Sequence, residues 1–239
     1  MMDADFVGAN MQPSPPRLVI FDCDGVLIDS EIIAARAQSH ALAEHGIAIT
    51  PEQAAHRFAG IPDADMWQTL QTENACALPD DFARQYAERL AHTFRQELRA
   101  LPHVHETVAA LRARGVDICV ASSSTPPKLE AALKLVDLWD AFAPNVFSTA
   151  QVAHGKPAPD VFLFAARQMR AAVRDCVVVE DSVPGVRAAC AARMLAVGYV
   201  GASHNGPDQR QRLLDEGAFA VIDDLSQLPD LLWPGPAKA

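Results

Sequence analysis

The sequence predicts an α/β protein in which a Rossmann-like parallel sheet carries an all-helical domain inserted after its first strand. The first support is a short apolar run at about 17–22, rich in β-branched and aromatic residues, which is typical of a buried parallel strand. Helical spacing then dominates 30–98, where glycine is scarce. From about 101 onward, strand-like and helix-like segments alternate, which favours parallel strands with helices on both faces.

These patterns divide the 239 residues into three parts. Residues 1–16 contain one glycine and three prolines, and we expect a disordered leader there because this segment has no core to join. Residues 17–29 and 99–239 are expected to form the sheet domain. Residues 30–98 are expected to form the helical domain between them.

Four helices are predicted within the insertion. The first begins near Ser30, and Gly46 is expected to end it as a C-cap. The second begins at Thr50-Pro51, with threonine as the N-cap and proline in the first turn. A third helix follows Pro62, and a fourth covers about 80–98.

Alternating elements are predicted in the rest of the chain. The predicted strands are 117–121, 145–147, 176–179, 194–200 and 219–222, and the predicted helices are 104–114, 126–136, 158–170, 183–192 and 208–216. After Asp223, a tail is expected to pack on the core through Leu225 and Leu228.

Composition excludes several classes of partner. A net charge of −10 argues against nucleic acid and anionic membranes, because both attract a basic surface. The sequence has no apolar run long enough for a membrane span, and its acidic start does not resemble a secretory signal. Five dispersed cysteines without a CxxC spacing are typical of reduced thiols in a cytoplasmic protein. The protein is expected to be a monomer or weak homodimer, and its expected partner is a small phosphorylated substrate.

Polar residues follow the predicted strands at one edge of the sheet. Asp22 and Asp24 follow the first strand, the run 122–125 follows the second, and Glu180-Asp181 follows the strand at 176–179. Lys156 lies in a loop between Gly155 and Pro157. Ligands of open parallel sheets bind beyond the carboxyl ends of the strands, so these groups are expected to meet.

This collection of acids, hydroxyls and one ammonium suits a metal-assisted phosphoryl site. Burying Asp22 and Asp24 as unpaired charges would cost several kcal/mol, which a divalent cation would offset. Each motif alone has a plainer explanation: a loop for the two aspartates, a turn for 122–125, a surface position for Lys156, and a helix cap for Glu180-Asp181-Ser182. Cys23, between the acids, is expected to have a raised pKa and to act only in packing.

In order, Asp22-x-Asp24-Gly25-Val26, Ser122, Lys156-Pro157-x-Pro159-Asp160 and Glu180-Asp181-Ser182 resemble the motifs of the haloacid dehalogenase (HAD) superfamily. The resemblance extends from residue 17 to 228. It is closest to the branch with a helical cap after the first strand, which includes β-phosphoglucomutase and many sugar-phosphate phosphatases. Phe21-Asp22-Cys23-Asp24-Gly25 with Ser30-Glu31 is most similar to 6-phosphogluconate-type phosphatases.

The resemblance implies an aspartyl-phosphate mechanism. Asp22 would be the nucleophile, and Asp24 would be first the general acid and then the general base. Lys156, the Ser122 hydroxyl and the Ser123 amide would bind the transferring phosphoryl group.

The resemblance also implies a bound Mg²⁺. The Asp22 side chain, the main-chain carbonyl of Asp24 and Asp181 would be its ligands, and Glu180 would orient them directly or through water. The helical cap would select the substrate. Its candidate contacts with an anionic substrate are Arg36, His40, His56 and Arg57, for each of which a solvated surface position is the alternative.

Two positions depart from the mutase pattern. Ala34 stands where the mutases carry a histidine, and Asp63 stands three residues after Gly60, where they carry an arginine. The predicted activity is therefore Mg²⁺-dependent hydrolysis of a small sugar or sugar-acid phosphate such as 6-phosphogluconate. A hexose-phosphate mutase is the alternative, followed by a non-catalytic binding protein on the same scaffold.

Overall fold

The computed structural model describes residues 15–58 and 63–233, without the side chains of residues 55, 56 and 63. The leader predicted at 1–16 therefore lies almost entirely outside the described residues. The side chains of His56 and Asp63, and Gly60 as a whole, also lie outside them.

In the described residues, six strands form one parallel sheet. The strands are β1 (Leu18–Phe21), β2 (Asp117–Ser122), β3 (Val146–Ser148), β4 (Cys176–Glu180), β5 (Leu195–Tyr199) and β6 (Ala220–Ile222). Their spatial order is β3-β2-β1-β4-β5-β6, and every neighbouring pair is parallel. Phe21 at the end of β1 lies opposite Val120 of β2 and Val179 of β4. The predicted parallel sheet is confirmed, with β1 near its centre.

Eleven α-helices lie in the described residues. They are α1 (Glu31–Ala43), α2 (Pro51–Phe58), α3 (Asp63–Asn74), α4 (Phe82–Glu97), α5 (Val104–Ala113), α6 (Pro126–Leu135), α7 (Trp139–Phe142), α8 (Asp160–Gln168), α9 (Val183–Ala191), α10 (Gln209–Asp215) and α11 (Leu228–Leu232). All of these except the short α7 and α11 correspond to predicted helices. Each helix that the structure describes is too short or too polar to cross a lipid bilayer.

The apolar sequence of β1 is explained by helices on both faces of the sheet. Side chains alternate along a strand, so Val19 and Phe21 pack into one apolar cluster and Leu18 and Ile20 into the other. The first cluster includes residues of α5 and α6, and the second includes residues of α8 and α9. All four β1 residues are completely buried, as expected for a parallel strand covered on both faces.

Helices α1 to α4 share a third apolar cluster, separate from the two on the sheet. Gly46 has a φ of +79°, a left-handed conformation that favours glycine and ends α1. Thr50 and Gln53 form a reciprocal capping box at α2, with N···O distances of 3.0 and 3.2 Å. The separate cluster supports the predicted division into a sheet domain and the helical cap at 30–98, which stays a prediction.

The two segments that join these helices to the sheet pair with each other. The Asp29 N–H donates to the Arg99 carbonyl (3.3 Å), and the Leu101 N–H donates to the Leu27 carbonyl (3.0 Å). Ile28 forms an antiparallel bridge with Ala100 between them. The chain therefore enters and leaves the helical insertion at one two-stranded stem.

The substitution Leu42→Ala tests how much the third apolar cluster, shared by α1 to α4, stabilises the protein. Leu42 is completely buried there, so its truncation is expected to lower the free energy of unfolding by about 2–5 kcal/mol, measured by urea denaturation with circular dichroism. Leu135→Ala is the matched control, because Leu135 is 40% exposed, and it should change stability by less than about 0.5 kcal/mol. Equal effects of the two substitutions would contradict the packing of Leu42 in this apolar cluster.

Candidate active site

The candidate site lies where β1, β2 and β4 end side by side. Asp22 directly follows β1, and its N–H donates to the Val179 carbonyl (3.0 Å), which extends the pairing of β1 with β4. Ser122 is the last residue of β2 and Glu180 the last of β4. The parallel register therefore brings the predicted motifs together at the carboxyl edge, as expected for an open α/β sheet.

Lys156 joins the ends of these three strands from the loop between β3 and α8. Its Nζ donates to Asp22 Oδ1 (2.7 Å), to Glu180 Oε1 (2.6 Å) and to the Ala121 carbonyl (3.1 Å). An ammonium has three N–H donors, so each one has an acceptor. The Lys156 side chain is only 5% exposed, which makes it a buried cation rather than the surface lysine that its loop position alone allowed.

Glu180 is fixed on its other side by the start of α9. Its Oε2 accepts hydrogen bonds from the N–H and the hydroxyl of Ser182, both at 2.9 Å. At Gly185, an added Cβ would lie 1.8 Å from the Glu180 carboxyl carbon, so only glycine leaves room for this fully buried side chain. Both carboxylate oxygens of Glu180 are thus engaged, one by Lys156 and one by Ser182.

Three carboxylates form a cluster that could hold a metal ion. Ligand oxygens of Asp22, Glu180 and Asp181 all lie within 4.8 Å of one another. Oxygen ligands of this kind suit a hard divalent cation. The main-chain carbonyl of Asp181 accepts a hydrogen bond from Gln209 Nε2 (2.5 Å), and its Oδ2 lies 3.1 Å from His204 Nε2.

The cluster carries more negative charge than Lys156 balances. Burial raises the pKa of Asp22 well above its usual range, and the neighbouring acids add to this while Lys156 opposes it. Burial also raises the pKa of Asp181 to about 6, against the hydrogen bond from His204. For Lys156, burial favours the neutral form, but Asp22 and Glu180 outweigh it and raise the pKa. A divalent cation would relieve this excess, so the residues fit a metal site.

Asp24 has different surroundings from Asp22, although only one residue separates them. Its Oδ1 accepts a hydrogen bond from the Ser30 hydroxyl (2.6 Å), and its Oδ2 accepts one from the Ser124 hydroxyl (2.8 Å). Ser30 is the N-cap residue of α1, and Ser124 follows β2. Between the two acids, Cys23 is completely buried, and this burial, more than the adjacent carboxylates, raises its pKa.

The segment after β2 is held by hydrogen bonds of its own. The buried Ser122 hydroxyl accepts from the Ser124 N–H (3.1 Å). The Ser123 carbonyl accepts from the Thr149 hydroxyl (3.3 Å), and the Ser124 carbonyl accepts from the Ser148 hydroxyl (2.7 Å). Ser122 and Ser123 therefore lie on a fixed turn at the carboxyl edge of the sheet.

Three of the cap residues predicted to contact substrate, Arg36, Arg57 and His40, have side chains that the structure describes. Arg36 pairs with Glu97 (2.6 Å), and Arg57 pairs with Glu73 (2.7 and 2.9 Å). His40 is exposed and lines a cavity of about 540 Å³ between α1 and α4. The structure does not join these side chains to the acid cluster, and their assignment as substrate contacts stays a prediction.

For several polar residues at the site, the sequence predicts no role. Ser30 and Ser124 hold Asp24, while His204 and Gln209 contact Asp181. Ser124 lies in the run at 122–125, for which the sequence predicts phosphate contacts only from Ser122 and Ser123. The rule that ligands gather at the carboxyl ends of parallel strands, applied to β5, would have drawn attention to the loop that carries His204.

A cluster of acids beside a buried lysine, at the carboxyl edge of a parallel sheet, suits an enzyme that transfers phosphoryl groups. The chain belongs to the haloacid dehalogenase-like hydrolase family, whose model matches residues 16–193. This agrees with the sequence prediction of a phosphoric monoester hydrolase from the helical-cap branch.

Three relatives illustrate the similarity. The chain is 29% identical to 6-phosphogluconate phosphatase of Escherichia coli K12 over 214 residues, 89% of this chain and 93% of that protein. It is 33% identical to hexitol phosphatase B of the same organism over 197 residues, 77% and 85% respectively. A crystal structure of a HAD family hydrolase from Deinococcus radiodurans R1, with bound phosphate and sodium, has a TM-score of 0.80 at 31% identity, covering 92% of this chain and 96% of that one.

The substitution Asp181→Asn tests whether excess negative charge in the acid cluster destabilises the folded protein. The folded-state pKa of Asp181, about 6, lies above the ordinary 3.8. Between these pH values the folded protein keeps a proton that the unfolded chain loses, so its stability falls as the pH rises. Removing the charge should raise the free energy of unfolding of the metal-free protein by about 1–3 kcal/mol near about pH 8, with little gain near about pH 4.

The measurement is urea denaturation in EDTA across this pH range. Asp117→Asn is the matched control, because Asp117 is exposed at the opposite, amino end of β2. A gain from Asp181→Asn that is the same at both pH values would contradict the raised pKa.

Proposed function

We propose that the protein is a Mg²⁺-dependent phosphatase that hydrolyses a small sugar-type phosphate through an aspartyl-phosphate. The observation that supports it most is the hydrogen bond from the buried Lys156 ammonium to Asp22, beside two further carboxylates. One oxygen of Asp22 is thereby oriented by a cation that also attracts a phosphoryl group. An Asp nucleophile, a fixed cation and an acidic metal site are the parts that phosphoryl transfer requires.

Mg²⁺ is the proposed metal. Asp22, Asp181 and the main-chain carbonyl of Asp24 are its proposed ligands. Glu180 is proposed to act mainly by fixing Lys156, because both of its carboxylate oxygens are already engaged. A bound Mg²⁺ supplies positive charge that offsets the charge of the phosphoryl group in the transition state.

In the first step, a carboxylate oxygen of Asp22 attacks phosphorus, and the bond from phosphorus to the substrate oxygen breaks. Asp24 gives its proton to the departing alkoxide. In the second step, Asp24 takes a proton from water, the water oxygen attacks phosphorus, and the bond to Asp22 breaks. Inorganic phosphate leaves and the Asp22 carboxylate is restored.

The hydroxyls around Asp24 fit this double role. A hydroxyl donates to a carboxylate but turns to accept from a protonated carboxyl. Ser30 and Ser124 therefore orient Asp24 in both of its protonation states. Lys156, the Ser122 hydroxyl and the Ser123 amide are proposed to bind the transferring phosphoryl group, where fixed donors stabilise the developing charge.

The proposed substrate class is a phosphorylated sugar, sugar alcohol or sugar acid. The relatives named for 6-phosphogluconate and for hexitol phosphates support it. Hydrolysis is favoured over mutase chemistry because Ala34, on α1, has no group that could transfer a proton. The helical cap is proposed to select the substrate, with Arg36, His40, His56 and Arg57 as its candidate contacts.

Asp22→Asn tests the nucleophile. An amide cannot form the aspartyl-phosphate, so kcat is expected to fall by at least about 10³-fold. Phosphate release from 6-phosphogluconate and from a hexitol phosphate with Mg²⁺ is the measurement, and Asp117→Asn is the control with the same chemical change. Unchanged turnover of Asp22→Asn would exclude the mechanism. Isomerisation primed by a sugar bisphosphate, without phosphate release, would replace the phosphatase with a mutase.

Mg²⁺ itself should stabilise the fold. Ligand binding to the native state alone adds about 2.7 kcal/mol at 100 times the Kd, so Mg²⁺ is expected to raise the Tm of the EDTA-treated protein. NaCl at equal ionic strength is the control. Asp181→Asn should lose most of the Mg²⁺-dependent rise in Tm, and an undiminished rise in that variant would place the metal elsewhere.

A further inference from the structure

The loop between β5 and α10 reaches the acid cluster, and the proposed chemistry does not use it. His204 in this loop places Nε2 3.1 Å from Asp181 Oδ2, and its side chain is only 18% exposed. The ring lies against Gly25, where an added Cβ would be 2.9 Å from His204 Cε1 and 1.9 Å from Asp181 Oδ2. Gly25 therefore leaves the space in which the imidazole and the carboxylate meet.

Hydrogen bonds fix this loop on both sides of His204. On one side, Ser203 donates its N–H to Asp29 Oδ1 (3.1 Å) and its hydroxyl to Asp29 Oδ2. On the other side, Gln209 Nε2 donates to the Asp181 carbonyl (2.5 Å). Asp29 lies in the stem that leads to α1, so the loop is anchored to the stem as well as to Asp181. The hydrogen bonds of Ser203 and Gln209 therefore help to hold the His204 imidazole in place beside Asp181.

The hydrogen-bond chemistry determines which ring nitrogen donates. A carboxylate is only an acceptor, so Nε2 must carry the proton that lies between His204 and Asp181. In the described part of the chain, Nδ1 is buried without a hydrogen-bond partner. In the same part of the chain, Asp22 and Glu180 are held by Lys156, whereas the side chain that holds the Asp181 carboxylate is His204.

We propose that His204 is a positioning residue of the metal site, which holds one oxygen of Asp181 by hydrogen bonding and leaves the other oxygen for the cation. This inference rests on the metal site of the proposed function. Without the imidazole, the Asp181 carboxylate is free to rotate about its side-chain bonds. Loss of a group that orients a metal ligand typically weakens metal affinity by about 10- to 100-fold.

Mg²⁺ titration of the EDTA-treated protein by isothermal calorimetry tests the proposal. His204→Ala is expected to raise the Kd for Mg²⁺ by about 10- to 100-fold. His204→Gln should recover most of the affinity, because its amide N–H can reach the place of Nε2. The kcat at saturating Mg²⁺ should change far less than the Kd, since His204 is not assigned a reacting atom.

The chain offers a matched control in a second histidine–aspartate pair. His103 Nδ1 lies 2.8 Å from Asp224 Oδ1 on the exposed surface. His103 has a φ of +59°, which asparagine tolerates, so His103→Asn removes the imidazole with little strain. This variant should bind Mg²⁺ as the unmodified protein does.

A further variant distinguishes an error in the role of His204 from an error in the metal site itself. Asp181→Asn should abolish measurable Mg²⁺ binding, and unchanged binding in that variant would refute the metal site itself. If Asp181→Asn loses binding while His204→Ala binds normally, the metal site stands and the role of His204 is wrong. Weak binding by both His204→Ala and His204→Gln would also overturn it, because the loss would then not follow the N–H donor.

Discussion

The Lys156 ammonium is the interaction on which the candidate site depends. It is buried among Asp22, Glu180 and the Ala121 carbonyl, which belong to the ends of three neighbouring strands. Removing one partner of a buried ion pair leaves an uncompensated charge, at a cost of about 3–5 kcal/mol. The contacts of Lys156 therefore depend on β2, β1 and β4 lying side by side, and so does the proposed chemistry. Because one ammonium faces three acids, the site retains the excess negative charge that a divalent cation would neutralise.

Position in the fold gives two aspartates, one residue apart in the sequence, different surroundings. Asp22 lies beside a cation and other acids, where burial raises its pKa. Asp24 lies between two hydroxyls, that of Ser30 at the N-cap of α1 and that of Ser124, shortly after β2. In the proposed mechanism, the first environment orients the attacking oxygen, and the hydroxyls of the second can hydrogen-bond to either form of a carboxyl group. The proposed division of roles, with Asp22 as nucleophile and Asp24 as acid–base group, thus rests on the neighbours of each side chain.

Local patterns predicted much of the fold and part of the site. The apolar run of β1 and the later alternation of elements correspond to a parallel sheet, and Lys156 was recognised from its place in a motif. Contacts between distant segments were not accessible in this way. The sequence indicates the charge of Arg36 but not its ion pair with Glu97, which is 61 residues away in the sequence. His204 belongs to no periodic pattern, and only the folded arrangement of β4 and β5 brings it to Asp181.

The stem formed by the pairing of Ile28 with Ala100 has a consequence for how this molecule can diversify. Since the helical insertion starts and finishes at neighbouring points, its length and shape can change without altering the order of any strand. Asp22 directly follows β1 and Lys156 lies between β3 and α8, so both lie outside the insertion and such a change leaves them in place. If the insertion selects the substrate, as proposed, selectivity and reactivity are inherited as separable parts. A different set of helices grafted onto the same stem would then present a new substrate to an unchanged group of acids and lysine.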